Sequence, residues 1–152
     1  MKSLFKTCLG LALTFLLVFA IGCNNESDPN SNQIDEIQNE VSSGQWVITR
    51  FEDSGKNETS NFSGFFFVFS PSGTLTATKS PTGYTGNWSI TDSNSNDDSP
   101  DDLEFNIFFS LTNDFEDLND DWDIVSHSSS KIELIDVSGG GGGTDYLTFE
   151  KR

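Results

Sequence analysis

The chain has 152 residues, with 24 acidic side chains against 8 basic ones and a formal net charge of −16. A surface of that sign repels phosphate backbones and anionic lipid headgroups, which argues against nucleic acid as a partner. The two cysteines, Cys8 and Cys23, both precede the part that reads as a folded domain. That domain therefore has no thiol for a disulfide, a metal or a nucleophile, and it relies on an apolar core.

In chain order, the first stretch, MKSLFKTCLGLALTFLLVFAIGC, carries Lys2 and Lys6, an apolar run from Leu9 to Ile21, and small residues leading into Cys23. This is the pattern of a secretory signal, too short and wrongly flanked for a stable membrane span. Its end, Ala20, Ile21, Gly22 and Cys23, resembles the bacterial lipobox. In lipobox proteins the cysteine becomes the first mature residue and is acylated on sulfur and nitrogen, and two or more acyl chains hold a protein stably on a membrane. The expectation is a signal peptide over 1–22, lipidation at Cys23, a flexible polar tether over 23–32 and one domain over 33–152. Loss of Lys2 and Lys6 with the signal leaves 6 basic residues against 24 acidic ones, a net charge of −18.

The domain opens with Ile34, Ile37 and Val41 at i, i+3 and i+7, one apolar stripe on a short helix. Ser31 or Asn32 is placed to cap its start, and Gly44 lies just past its end. A helix this short packs as a brace against the main body. From Gly44 the pattern turns to period two: WVITRF, FFFVFS, TLTATK, YTGNWSIT, LEFNIFFSL, WDIVS, KIELIDV and YLTFEK are eight segments rich in β-branched and aromatic residues, separated by turn-formers. Eight antiparallel strands in sequence order predict an up-and-down meander, and closure into a barrel removes its exposed edges. The fold class is therefore all-β, an eight-stranded antiparallel barrel with a short N-terminal helix.

Alternation assigns the faces. Phe65, Phe67 and Phe69 share one side of a strand, as do Tyr84, Trp88 and Ile90, then Leu103, Phe105, Ile107, Phe109 and Leu111; Ile132 with Leu134 and Leu147 with Phe149 continue the set. Phe66, Val68 and Phe108 fall on the opposite, outward faces.

Gly44, Gln45 and Trp46, at the start of the first strand, match the G-x-W motif of the lipocalin and calycin barrels. With G-x-W-x-I-x-x-F at Gly44 to Phe51, FSGFFFVFSPSGTLTA, a second G-x-W at Gly86 to Trp88, DLNDDWDI and SGGGGGTDYLTFEK, the chain from Ile34 to Lys151 resembles the small lipocalin-like lipoproteins of Bacteroidota. The resemblance implies a lipocalin-like barrel tethered to the outer membrane, on its periplasmic or cell-surface face. It implies no particular activity, because related barrels hold small apolar molecules, bind proteins or stand as modules.

Two places are candidates for a site. The first is the barrel interior, lined by Trp46, Ile48, Phe65, Phe67, Phe69, Tyr84, Trp88, Phe105, Ile107 and Phe109, with Arg50 the one charged residue that alternation carries inward to orient an acidic head group. An eight-stranded barrel is just wide enough for side chains to fill it or for one small ligand to fit, and apolar ligands favour such walls. The alternative reading of the same aromatics is a filled core. The second is acidic. In DSNSNDDSPDD, Asp92, Asn94 and Asn96 copy the start of an EF-hand loop, but Asp97 stands where glycine is needed and Leu103 where the bidentate glutamate is needed. In NDFEDLNDDWD, Asn113 and Glu116 have capping-box spacing while Phe115, Leu118 and Trp122 form one apolar stripe. The acids there read as a solvated skin, and Asp117, Asp120 and Asp121 are the weaker candidates for a calcium ion.

Catalysis lacks parts. His127 is the single histidine and lies in a serine-rich turn, so histidine-based nucleophile or zinc schemes are incomplete, and Gly139 to Gly143 lack the ending of a phosphate loop. The expectation is a non-enzymatic, lipid-anchored binding protein without a cofactor, holding a small apolar or amphipathic ligand in its barrel. The competing expectation is a packed-barrel module that meets a protein partner through its surface.

Overall fold

The computed structural model describes residues 29–93, 103–138 and 143–152. The expected signal peptide, Cys23, the EF-hand-like positions Asn94, Asn96 and Asp97, and Gly139 to Gly142 lie outside the described residues. A helix, α1, spans Pro29–Val41. It begins inside the stretch expected to be tether, before Ser31 and Asn32. Proline suits this place, since the N–H it lacks would have had no helical partner. Ile37 and Val41 are fully buried and Ile34 packs on the same core, as the stripe predicts.

Among the described residues nine strands follow: β1 (Trp46–Asp53), β2 (Lys56–Asn57), β3 (Phe66–Phe69), β4 (Thr74–Lys79), β5 (Thr82–Asp92), β6 (Leu103–Phe108), β7 (Asp120–His127), β8 (Lys131–Ser138) and β9 (Gly143–Lys151). All pairings are antiparallel, each strand from β3 to β9 pairs with the next, and β1 closes the ring against β9 and β3. The two-residue β2 only folds back on the end of β1, so the closed barrel has the eight expected strands. A 3₁₀ turn, Thr59–Phe62, leads into β3, and a second, Glu116–Leu118, lies between β6 and β7.

The meander sorts the connections between two ends. At one end lie α1, the start of β1, the end of β5 and the turns after β3 and β7. At the other lie the two 3₁₀ turns just named, the end of β8 and the connections after β4 and β6. Gly44 takes φ +81 between helix and barrel, a conformation natural to glycine. Beyond it Trp46, fully buried, donates its indole N–H to the carbonyl of Val41 at 2.8 Å. Lys151 stands over that indole, its ammonium 4.7 Å from the ring centroid, and donates to the Glu40 carbonyl at 3.2 Å. The motif thus satisfies carbonyls that a helix end leaves unpaired and fixes the helix across the barrel mouth.

Gly86 has a different reason. A β-carbon there would stand 2.4 Å from the Phe108 carbonyl and 2.7 Å from the Phe109 ring. Only glycine lets β6 and the Phe109 ring lie this close to β5.

Two bulges bend the barrel. Between Ile48 and Arg50 the β1–β9 register slips by one residue, and between Ile124 and Ser126 the β7–β8 register does the same. Each inserts a residue that has no partner across the ladder and flips the faces beyond it. The second leaves Val125 61% exposed.

Candidate functional site

Nine of the ten apolar residues assigned to the barrel interior are buried there: Trp46, Ile48, Phe65, Phe67, Phe69, Trp88, Phe105, Ile107 and Phe109. Tyr84 is half-buried at the rim, stacked on Phe65 with ring centroids 5.9 Å apart. Arg50 is not among them. The bulge at Thr49 turns Arg50 outward and brings Phe51 in its place to 1% exposure. Outside, the Arg50 guanidinium pairs with Glu52 at 3.0 Å and lies 3.9 Å from the Tyr146 ring centroid. The ion pair holds the Glu52 carboxyl below the usual carboxylate range.

Most interior ring pairs meet edge to face, while Trp88 stacks on Phe105 at 5.6 Å. Phe69 sits among Trp88, Phe105 and Phe149 at centroid distances of 5.4, 5.6 and 5.3 Å. Such offset geometries are the favourable ones for aromatic quadrupoles. An internal void wide enough for a water would leave accessible surface on the rings around it, yet Trp46, Phe67, Phe105 and Phe149 have 0%. Among the described residues Asn30 and Thr148 are the only buried polar ones, and no buried side-chain polar atom lacks a hydrogen-bond partner. The interior therefore offers neither a water-sized space against these rings nor an unsatisfied polar group to orient a ligand.

Both mouths are plugged. At the far end the plug is Phe115, 3% exposed, from the acidic stretch. Its ring meets those of Phe62, Phe65, Phe109 and Tyr84 at 5.4, 5.0, 5.0 and 4.7 Å. Leu118 and Trp122 are buried beside it, with the Trp122 indole donating to the Leu118 carbonyl at 3.2 Å. The expected capping box takes another form: Asn113 Oδ1 accepts from the Phe115 N–H at 3.2 Å, while the Glu116 N–H goes to the Asn113 carbonyl.

Asn119, which alternation and spacing overlook, holds the plug. Its side-chain amide accepts from the Phe109 N–H at 2.5 Å and donates to the Phe109 carbonyl at 2.9 Å, imitating a strand partner just past the end of β6. The sequence carries no pattern that marks such a clasp.

The carboxylates of the stretch face outward: Asp114, Glu116, Asp117, Asp121 and Asp123 are exposed, and Asp120 is half-buried. Burial, then its contact with Asp121 and the charge of Asp136, push Asp120 up to about 6. Burial, helped by the charges of Glu58, Asp53, Asp114 and Glu116, also raises Asp117. Among the described residues no three histidine, cysteine or carboxylate side chains come together as metal ligands, so Asp117, Asp120 and Asp121 do not form one centre. His127 lies against the helix, its Nδ1 2.8 Å from the Glu40 carboxylate. That contact ties the end of β7 to α1.

Several clefts of the described surface lie outside the barrel. One of about 330 Å³ separates α1 from the turn after β3, with Gln38, Asn39 and Ser72 on its walls. Two others, of about 460 and 430 Å³, flank Phe66. A fourth, of about 280 Å³, borders Phe108. Phe66 and Phe108 are 41% and 54% exposed, as alternation predicts.

No family model matches the chain, and no curated protein does. Among solved structures the chain is similar to a DUF4847 family protein from Bacteroides vulgatus ATCC 8482, with 17% identity and a TM-score of 0.48 over 76% of this chain and 97% of that one.

Proposed function

We propose that this protein is a lipid-anchored outer-membrane module whose barrel is a filled scaffold and whose work, without catalysis, is to meet another protein through its outer surface. The observation that carries the reading is the interior: rings without accessible surface, plugged by Phe115 at one end and α1 at the other. A small molecule in the barrel would have to displace several close-packed rings, each worth roughly 3–5 kcal/mol of stability. The anchor rests on the sequence around Cys23, and the acidic surface keeps the body soluble beside its membrane.

Native mass spectrometry of the protein purified from its own host tests the reading. A protein partner at fixed stoichiometry is the expected result; one small molecule per chain, lost only on unfolding, would overturn it. Metabolic labelling with palmitate tests the anchor separately, with label expected on the natural chain and absent from Cys23→Ser.

A further inference from the structure

The outer side of the seam between β1 and β3 has features that the filled interior leaves unused. The ladder there is one pair, Trp46 with Phe67, whereas β3–β4 holds four pairs and β1–β9 six. Beside this seam Phe66 points to solvent, and its ring walls two clefts. One lies over the seam, with Ile48 and Phe62 in its lining and Arg152 at its edge. The other is bounded by Thr78, Lys79 and Pro81.

Charge makes this place unusual on so acidic a chain. Six cations lie among the described residues. Arg50, Lys56 and Lys131 are paired with Glu52, Glu58 and Glu133, and Lys151 is committed to the Glu40 carbonyl and the Trp46 ring. Lys79 and Arg152 have no carboxylate partner among the described residues, and they stand on the two clefts that share Phe66. Lys79 is held in place: its stem crosses Gly64, and its ammonium donates to the Ser63 carbonyl at 2.8 Å and stands 5.5 Å from the Phe65 ring centroid. That bond uses one of its three donors. The result is a strip with a cation, an exposed aromatic ring and a second cation.

We propose that this strip docks an extended segment of a protein partner in which an apolar side chain lies between two carboxylates on one face. The inference rests on the reading of the protein as a surface-interaction module and names the chemistry of the partner. The apolar side chain covers Phe66; the carboxylates accept from the Arg152 fork and from the free donors of Lys79. In an extended chain alternate residues share a face, so the fitting pattern is acid, any, apolar, any, acid. Two open clefts with a common wall suit a chain laid across them, whereas small molecules favour one concave pocket that buries most of their surface.

A fluorescein-labelled peptide, Glu-Ser-Phe-Ser-Glu, titrated into the full chain tests this by fluorescence anisotropy. Saturable binding is expected, weakened at least fivefold by Phe66→Ser, by Lys79→Gln and by Arg152→Gln, and unchanged by Phe108→Ser. All four side chains are exposed, and unchanged circular dichroism shows that the variants fold. Equal binding of Lys-Ser-Phe-Ser-Lys, equal damage from Phe108→Ser, or no binding of the acidic peptide at millimolar concentration would overturn the proposal. The last result, alongside a stoichiometric protein partner in the native mass spectrum, removes this docking surface and leaves the surface-module reading standing. A small molecule in the barrel removes both.

Discussion

Phe115→Ala asks whether the acidic stretch between β6 and β7 matters for its carboxylates or for its rings. Phe115 is 3% exposed and meets the rings of Phe62, Phe65, Phe67, Tyr84 and Phe109 at centroid distances from 4.7 to 6.1 Å. Truncating a ring so enclosed removes its transfer free energy and leaves a cavity its neighbours refill only in part, a loss of about 3–5 kcal/mol. Edge-to-face partners place it toward the upper part of that range. For a domain with a total stability of roughly 5–15 kcal/mol this is a large share. Urea unfolding followed by tryptophan fluorescence should show the midpoint falling with the slope unchanged, the signature of lost stability without a change in the surface exposed. Asp117→Ala and Asp121→Ala, both at exposed positions, should each stay within about 0.5 kcal/mol of the natural chain. A loss below about 1 kcal/mol for Phe115→Ala, or a larger one for either aspartate, would refute the assignment of the ring as the plug.

Gly86→Ala forces a β-carbon against the Phe108 carbonyl and the Phe109 ring, and a loss of about 1–3 kcal/mol is expected in the same urea assay. Asn119→Ala strips both main-chain groups of Phe109 of their partner; about 1–3 kcal/mol should be lost, and hydrogen exchange at the Phe109 amide should accelerate. Asp120→Asn has an effect whose size depends on pH. A carboxyl raised to about 6 in the folded chain contributes stability below the ordinary aspartate range and loses it as pH rises through 6. The asparagine variant should match the natural chain near pH 4 and be more stable near pH 8, by about 1 kcal/mol once the shift is discounted for solvent screening at a half-buried group. Equal stability differences at pH 4 and 8 would show that burial does not penalise the Asp120 charge.

All eight expected strand segments appear, because alternation in an antiparallel barrel records which residues face the core. Phe65, Phe67, Phe69, Phe105, Ile107 and Phe109 alternate cleanly, and the structure buries them all. The helix was legible from Ile34, Ile37 and Val41, though its first turn at Pro29 was not, since the residues before Ile34 carry no apolar stripe. Three features lay outside the reach of pattern. Asn119 acts through its amide alone, and any asparagine in a polar loop looks the same in sequence. The pairing of His127 with Glu40 joins residues 87 positions apart, so no local spacing marks it. The bulges at Thr49 and Val125 break the period of two with residues that fit a strand as well as their neighbours do.

The bulge at Thr49 also decides what the barrel can hold. With unbroken alternation, Arg50 would follow Trp46 and Ile48 inward and Phe51 would point to solvent. A guanidinium among those rings, with no carboxylate beside it, would cost several kcal/mol in desolvation unless an anion entered with it. The interior would then need an acidic ligand to be stable. One inserted residue reverses this: Phe51 joins Phe62 and Trp122 at centroid distances of 5.3 and 6.4 Å, and Arg50 finds Glu52 and Tyr146 outside. Among the described residues the core then holds no charged side chain. Lys79 and Arg152, which have no carboxylate partner among the described residues, stay on the surface on the clefts beside Phe66.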